Sequence, residues 1–168
     1  MNRVIIDKVT VNIGVGEGGE RLAKAEKLLE RLTGRKPVRT IAKSTNQNFG
    51  IRKGQSIGCK VTLRNKDAEN FLRKALSAVD NKIKESSIDE FGNFSFGIEE
   101  YIYIPGEKYD PNIGIFGMDV SVAMKKPGYR VKRRRIARSK VGKRQKVTRK
   151  ETKKYMSEKF GVSFISEE

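Results

Sequence analysis

The sequence predicts an α+β fold: a mostly antiparallel sheet with helices packed on one of its faces, and a basic C-terminal arm ending in a helix. Two segments carry apolar residues at helical spacing, and about five alternate apolar with polar residues, as half-buried strands do. Strands and helices do not alternate regularly, as a parallel doubly wound sheet would require. The 168 residues suffice for one domain, with a body over 1–126 and the arm over 127–168.

The first strand runs into a glycine-rich turn. Its apolar residues are Val9, Val11 and Ile13, and its polar residues are Lys8, Thr10 and Asn12. Gly14, Gly16 and Gly19 then follow the G-x-G-x-x-G spacing of a dinucleotide-binding fingerprint, and a helix begins directly after them. The pattern raises the possibility of a nicotinamide enzyme.

The residues around these glycines do not favour a dinucleotide. Glu17 and Glu20 would repel a pyrophosphate at the start of the helix. Residues 34–44 contain no carboxylate to bind a ribose. We therefore interpret the glycines as a tight strand-to-helix turn. A small NADP-dependent enzyme stays as an alternative, because Arg35 or Arg39 could hold a 2′-phosphate.

Two helices are predicted, over Glu20–Thr33 and Lys66–Lys84. Gly34 supplies a stop for the first helix, and Asn65 supplies an N-cap for the second. The apolar stripe of the first helix is Leu22, Ala25, Leu28, Leu29 and Leu32, and that of the second is Ala68, Phe71, Leu72, Ala75, Leu76, Val79 and Ile83. Both stripes are predicted to be core.

Four further segments show strand-like alternation. In "IGCKVTLR", Ile57, Cys59, Val61 and Leu63 point one way, and Lys60, Thr62 and Arg64 the other. "PVRTIAK" is a shorter strand with Arg39 and Lys43 on one side. The apolar positions of the last two are Phe94, Phe96, Ile98, Ile102 and Ile104 in "NFSFGIEEYIYI", and Met118, Val120, Val122 and Met124 in "GMDVSVAM".

With the helices on one face, the other face of the sheet is predicted to be open and polar. It carries Lys8, Thr10, Asn12, Lys60, Thr62 and Arg64. Such hydroxyl, amide and cationic groups can contact phosphates, 2′-hydroxyls and exposed base edges of RNA. Alternation by itself predicts an ordinary solvated face equally well. We favour the RNA platform.

Positive charge is concentrated in the arm. The chain has 37 Lys and Arg against 20 Asp and Glu, a formal net charge of +17. Residues 129–154 hold 14 of the basic residues and one acidic residue, Glu151, after a joint at Pro127 and Gly128. Because so many like charges repel one another unless a polyanion neutralises them, we expect the arm to contact nucleic acid.

The arm is predicted to end in a helix that docks on the body, so that the arm is held at both ends. Thr148 and Glu151 have the spacing of a capping box, and Gly161 supplies the stop. The apolar positions of this helix are Tyr155, Met156 and Phe160.

The composition argues against most catalytic and metal chemistry. Histidine is absent and Cys59 is the single cysteine, so the usual general base and the zinc clusters are missing. We predict no cofactor, no metal site and a reducing, intracellular setting. No stretch is apolar enough to span a membrane, and the N-terminus lacks the layout of a signal peptide. An enzyme built on Asp, Glu, Lys or Tyr alone stays as an alternative.

Several motifs together resemble one family over essentially the whole chain. They are "VNIGVGE", "TGRKPV", "IRKGQSIGCKVTLR", "GNFSFGI" and "TRKETKKYMSEKFGV". On these motifs the sequence is similar to large-subunit ribosomal protein five, the family that carries 5S rRNA, in its archaeal type. The resemblance implies a non-catalytic α+β protein, monomeric within the cytoplasmic ribosome, that binds 5S rRNA and helps attach it at the central protuberance. It also implies contacts with large-subunit rRNA, P-site tRNA and a protein of the small-subunit head.

The resemblance further implies which residues meet these partners. The 5S rRNA-binding residues would be Asn12, Lys36, Thr40, Lys43, Lys60, Thr62 and Arg64. The tRNA-facing loop "STNQNFGIRKGQS" would present Asn46, Asn48, Phe49, Arg52 and Lys53. In the basic arm, where charge already indicates nucleic acid, the expected rRNA-binding residues are Arg130, Lys132, Arg133, Arg134, Arg135, Arg138, Lys143 and Arg144. A general nucleic-acid binder outside the ribosome is the alternative, and it would show no preference for 5S rRNA.

Overall fold

A computed structural model describes residues 2–166, and its main element is a five-stranded antiparallel sheet. The seven strands of the described chain are β1 (Ile5–Gly14), β2 (Val38–Ile41), β3 (Ser56–Leu63), β4 (Lys82–Lys84), β5 (Phe94–Ile98), β6 (Met118–Lys125) and β7 (Ser163–Ile165). The main sheet has the order β2-β3-β1-β6-β5, and β4 pairs with β7 in a separate parallel ribbon. The expected α+β class and mostly antiparallel sheet are confirmed.

Helices α1 (Glu20–Thr33) and α2 (Asn65–Ala78) bury their predicted stripes against one face of this sheet. The fully buried residues there include Val9, Val11, Leu22, Leu28, Cys59 and Leu72. Helix α1 ends as predicted, because Gly34 adopts the left-handed conformation (φ 68°) and its N–H donates to the Glu30 carbonyl at 2.8 Å. Burial raises the pKa of the Cys59 thiol to about 11, which leaves it a packing residue.

Helix α2 is shorter than the spacing of its apolar residues predicts. It ends at Ala78, because Asp80 and Asn81 adopt left-handed conformations (φ 57° and 56°) that close the helix. Ile83 is buried as predicted, but it reaches the core from β4. The predicted N-cap is also displaced: Asn65 is the first helical residue, and the cap position belongs to Arg64.

The strand predicted through "NFSFGIEEYIYI" ends at Ile98. Tyr101–Tyr103 form a single 3₁₀ turn, and Tyr101 is fully buried while its hydroxyl accepts the Asp110 N–H at 3.0 Å. The bend is packed tightly, since a Cβ atom on Gly117 would lie 2.8 Å from the Glu99 carbonyl oxygen. The expectation of an extended chain through Ile104 is therefore wrong.

The glycine-rich segment forms the tight turn that we inferred. The backbone N–H groups of Val15 and Gly16 both donate to the Ile57 carbonyl, at 2.9 and 2.8 Å, which fastens the turn to β3. Gly16 and Gly19 have φ angles of 78° and 87°, which side chains rarely allow. These angles account for Gly16 and Gly19 without a ligand.

The arm contains a short helix α3 (Arg130–Arg133) and ends in α4 (Arg149–Phe160). Thr148 and Glu151 form the predicted capping box. Helix α4 docks on the body, because the buried Thr152 hydroxyl donates to the Gly92 carbonyl at 2.8 Å. Beyond Gly161 the chain adds β7, which the sequence did not predict. Within residues 2–166 no helix has the length and apolar character needed to cross a membrane.

Candidate nucleic-acid interface

The face of the sheet opposite the helices carries two rows of polar side chains, and strand register aligns them. In one row Asn12 of β1 lies opposite Lys60 of β3. In the next row Thr10 lies opposite Thr62 on one side and Ser121 of β6 on the other. Neighbouring strands are about 5 Å apart, so each row can be contacted by adjacent nucleotides of one RNA strand.

These side chains are available to a ligand. Within residues 2–166, the polar groups of Thr10, Asn12, Lys60 and Thr62 make no side-chain hydrogen bond or ion pair. Lys60 and Thr62 are exposed, and Thr10 and Asn12 are half-buried. The face is therefore a set of unused donors and acceptors, as an RNA-binding surface requires.

A glycine in β3 brings Thr40 onto this face. Gly58 pairs with Thr40 of β2, and a Cβ atom on Gly58 would lie 2.8 Å from the Thr40 hydroxyl oxygen. Any side chain at this position would push Thr40 away. Arg39 lies on the opposite side of β2 and donates to Glu26 of α1 at 2.6 Å. The expected 5S rRNA-binding Lys36 and Lys43 flank β2 and are exposed.

A shallow depression of about 350 Å³ lies beside these rows, towards β5. Hydroxyl and amide groups dominate its polar lining, which comprises Lys8, Thr10, Ser87, Asp89, Asn93, Ser95 and Ser121. The carboxylate of Asp89 is already used, because it accepts the backbone N–H groups of Phe91 and Asn93 at 2.9 and 2.8 Å. The depression extends the polar face beyond the residues that sequence reasoning identified.

Asp7 gathers three basic residues at one end of the sheet. It is 6% exposed, and its carboxylate pairs with Arg133 of α3, with Lys125 at 2.9 Å and with Arg64 at 3.7 Å. Burial by itself raises the pKa of Asp7, but the hydrogen bonds and charges of Arg133 and Lys125 outweigh it and hold that pKa below its ordinary value. Arg64 and Arg133, which are predicted to bind RNA, therefore also form ion pairs within the protein.

The loop that we expect to face tRNA, residues 44–56, is held in shape by its own polar groups. The Asn46 side chain accepts the Asn48 N–H at 3.0 Å, and Thr45 accepts the Lys53 N–H at 3.1 Å. Gln55 accepts the Arg52 N–H at 3.1 Å. Phe49 is 75% exposed at the tip. The five predicted loop residues therefore share one ordered projection, with Phe49, Arg52 and Lys53 on its surface.

Most predicted cations of the arm have no acidic partner. Within the described chain this holds for Arg130, Lys132, Arg135, Arg138, Lys143 and Arg144. Arg134 instead donates from Nε to the Ala137 carbonyl at 2.8 Å, and Arg133 pairs with Asp7. Arg133 and Arg134 therefore stabilise the conformation of the arm, and the other six residues face solvent.

Sequence reasoning missed two acidic features. Asp119 of β6 lies on the polar face opposite Asn12, and the alternation of "MDVSV" was the signal for it. Residues 99–110 hold four carboxylates and one lysine. This acidic segment packs against α1 on the helix side of the sheet, where Arg31 donates to Glu107 at 2.8 Å.

Two family models match most of the chain. The model described as "Ribosomal protein L5" matches residues 1–52, and the model that describes the C-terminus of the same ribosomal protein family matches residues 56–164. The chain, with its polar sheet face and basic arm, is thus a ribosomal protein, a structural component without enzymatic activity. This assignment excludes the NADP-dependent enzyme.

Archaeal relatives narrow the assignment. The large ribosomal subunit protein uL5 of Methanosphaera stadtmanae is 56% identical over 163 residues, which cover 97% of each chain. Its counterpart in Sulfurisphaera tokodaii is 55% identical over 98% of this chain and 94% of the relative, and that in Aeropyrum pernix is 55% identical over 98% and 86%. The chain belongs to the ribosomal protein L5 family, whose members here are the uL5 proteins of the large ribosomal subunit.

Proposed function

We propose that this protein binds 5S rRNA through the open face of its sheet and helps attach that RNA to the large-subunit rRNA at the central protuberance. In this proposal the whole chain acts as one RNA-binding unit in the cytoplasmic ribosome, as a monomer. The body, residues 1–126, supplies the sheet face, and the arm, residues 127–168, supplies the contacts with large-subunit rRNA. No cofactor takes part.

The observation that carries the proposal is the alignment of Thr10, Asn12, Lys60 and Thr62 in adjacent register positions, with no intramolecular partner for their polar groups within residues 2–166. Lysine can neutralise phosphates, while hydroxyl and amide groups can contact 2′-hydroxyls and base edges. Thr40 borders the same face. The lysine that provides affinity through its charge and the polar groups that select the RNA would therefore lie on the same surface.

We further propose that loop 44–56 contacts the P-site tRNA. Its internal hydrogen bonds support this role, because a loop that is already ordered loses little conformational entropy on binding. Phe49 offers an exposed ring for stacking, and Arg52 and Lys53 offer charge to the tRNA backbone.

The acidic segment at residues 99–110 supports a protein partner on the helix side, and we propose the small-subunit head protein there. Glu107 and Asp110 pair with Arg31. Glu99 and Glu100, in contrast, make no ion pair within residues 2–166, and their carboxylates would repel rRNA phosphates and attract a basic protein. Tyr103 and Tyr109 are 51% and 54% exposed, and tyrosine is enriched at protein interfaces.

Competition binding tests the 5S rRNA proposal. Labelled 5S rRNA is bound to the protein at fixed ionic strength and displaced by tRNA, random duplex RNA or unlabelled 5S rRNA. We expect unlabelled 5S rRNA to compete far better than the others. The double variant Lys60→Ala with Thr62→Ala should lose about 1–3 kcal/mol of 5S rRNA binding free energy with unchanged folding.

A matched control is Lys27→Ala, which removes one exposed lysine on α1, away from the sheet face. It should leave the preference for 5S rRNA unchanged. Equal competition by all RNAs would favour a general nucleic-acid binder, and unchanged affinity of the double variant would show that the sheet face is not the contact surface.

A further inference from the structure

Asp119 is an acidic residue among the neutral and cationic side chains of the polar face. It lies on β6 opposite Asn12 of β1, and Lys60 of β3 follows Asn12 in the same row. Its register partner on the other side is Gly97 of β5, which has no side chain. Asp119 is exposed, and its Oδ1 lies over Gly97, 3.6 Å from where a Cβ atom on that residue would be.

The other carboxylates near this face already make contacts within the protein. Asp7 holds Lys125 and Arg133, and Asp89 accepts hydrogen bonds from Phe91 and Asn93. Asp119, in contrast, accepts no hydrogen bond from a side chain and makes no ion pair within residues 2–166. An unused carboxylate thus stands on the surface to which we assign RNA.

A carboxylate repels phosphates and can only accept hydrogen bonds. Groups of RNA that donate N–H bonds are the amino and imino groups of its bases, which are reachable where a base is unpaired. The Watson–Crick edge of guanine has two adjacent donors, N1–H and N2–H, which match two carboxylate oxygens, and beside them the acceptor O6. The Asn12 amide, directly opposite Asp119, has N–H groups that can donate to O6.

We propose that Asp119 is a specificity-determining residue that, together with Asn12, binds the Watson–Crick edge of one unpaired guanine of the rRNA. The inference rests on the proposed RNA-binding function of the sheet face. Asp119 raises the affinity for an RNA that presents this guanine and lowers the affinity for fully paired RNA, which brings only phosphates to the carboxylate.

The variant Asp119→Asn separates these two effects, because it keeps the size of the side chain and removes its charge. We expect it to weaken binding to 5S rRNA or to a large-subunit rRNA transcript about tenfold or more. The same variant should strengthen binding to a plain RNA duplex about twofold at low salt. Asp80→Asn is the matched control, since Asp80 is an exposed carboxylate in a left-handed turn that Asn also tolerates.

Kethoxal, which modifies unpaired guanines at N1 and N2, supplies a direct readout on both transcripts. The wild-type complex should protect one guanine that becomes reactive in the Asp119→Asn complex and stays protected in the Asp80→Asn complex. The inference is overturned if Asp119→Asn leaves the affinities for both transcripts and the footprints unchanged, or if it strengthens binding to every RNA alike. Loss of protection at an adenine or cytosine, probed with dimethyl sulfate, would overturn the guanine assignment.

These outcomes are separable from failure of the proposed function. If the wild-type protein binds 5S rRNA no better than unrelated RNA, the proposed function fails whatever Asp119 does. The footprint on the large-subunit transcript then still decides whether Asp119 contacts a guanine.

Discussion

Asp7 occupies an irregularity of β1, where Ile6 pairs with Met124 and Lys8 pairs with Ala123 of β6. The extra residue in β1 makes this a β-bulge, a feature that redirects side chains at sheet ends. Here it buries a carboxylate among cations from β6 and α3. This carboxylate thereby links α3 of the arm to β1 and β6 of the body.

Asp7→Asn removes the charge from this cluster while keeping the shape of the side chain. We expect the free energy of unfolding to fall by about 1–3 kcal/mol, because Lys125 and Arg133 lose their shared partner while both remain partly solvated. Urea unfolding at pH 7 measures the loss. Asp80→Asn serves as the control, and an equal effect of the two substitutions would show that the cluster contributes nothing particular.

The contribution of Asp7 should also depend on pH. Its pKa in the folded protein lies below the value near 3.9 of an unfolded chain, so its stabilising effect is complete above about pH 5. The effect is lost as the pH falls through the folded-state pKa. The difference in unfolding free energy between wild type and Asp7→Asn should therefore be constant from about pH 7 to 5 and shrink below about pH 4. A difference that grows on acidification would contradict this assignment.

At the scale of elements, the loop before β5 and the start of α4 pack so closely that their contact leaves no room for a side chain at residue 92. Gly92 has φ 77°, and a Cβ atom built on it would lie 2.6 Å from Val147 Cγ1 and also collide with the Thr152 hydroxyl. Thr152 in turn donates to the Gly92 carbonyl. The helix can dock at this distance only because residue 92 has no side chain.

Gly92→Ala should therefore destabilise the docking of α4. The added methyl group would be strained at this positive φ angle and would clash with Val147 and Thr152. We therefore expect the free energy of unfolding to fall by about 2–4 kcal/mol. Thermal unfolding and protease susceptibility of the arm would measure it. Gly142→Ala is a suitable control, because a Cβ atom there would meet nothing within 4 Å. Equal stability of the two variants would show that α4 docks by other contacts.

Elements with a strong local signal could be predicted from the sequence. Helix α1 has both its stripe and Gly34, and α4 has its capping box, so both have the expected extent. The end of α2 could not be predicted, because Val79 and Ile83 continue the apolar spacing although Asp80 and Asn81 turn the chain. Of the candidate interface, the alternating residues of β1 and β3 were found. The depression near Ser95 and the Asp7 cluster depend on pairing between distant strands, which one sequence does not reveal.

On the scale of the whole molecule, an acidic segment lies on the helix side of the sheet, opposite the open face that carries Lys60 and Asp119. The unpaired cations of the described chain include those of the arm and Lys60 of the open sheet face, while the acidic segment 99–110 packs against α1. In the proposed function, an RNA molecule and a basic protein would therefore bind opposite sides of the sheet at the same time.

Binding to RNA should depend steeply on salt. If the protein neutralises about 6–10 phosphates, its affinity should fall by about 10³–10⁵ between 50 and 200 mM salt. Arg135→Ala, which removes one exposed arginine of the arm, should reduce the slope of log K against log salt by about one. Lys27→Ala on α1 should leave the slope unchanged. A shallow slope in the wild type would show that few of these cations contact phosphates.

The arm is fixed at its root by Arg133 and at its end by Thr152, and between them the Gln145 amide donates to the Pro127 carbonyl at 2.6 Å. A flexible tail would lose conformational entropy when it binds a partner. An arm that is anchored at two points has already lost that entropy during folding. If the arm binds rRNA as proposed, its conformation would therefore be set before the RNA binds. During ribosome assembly, an rRNA segment that is still rearranging would be captured in the one conformation that fits.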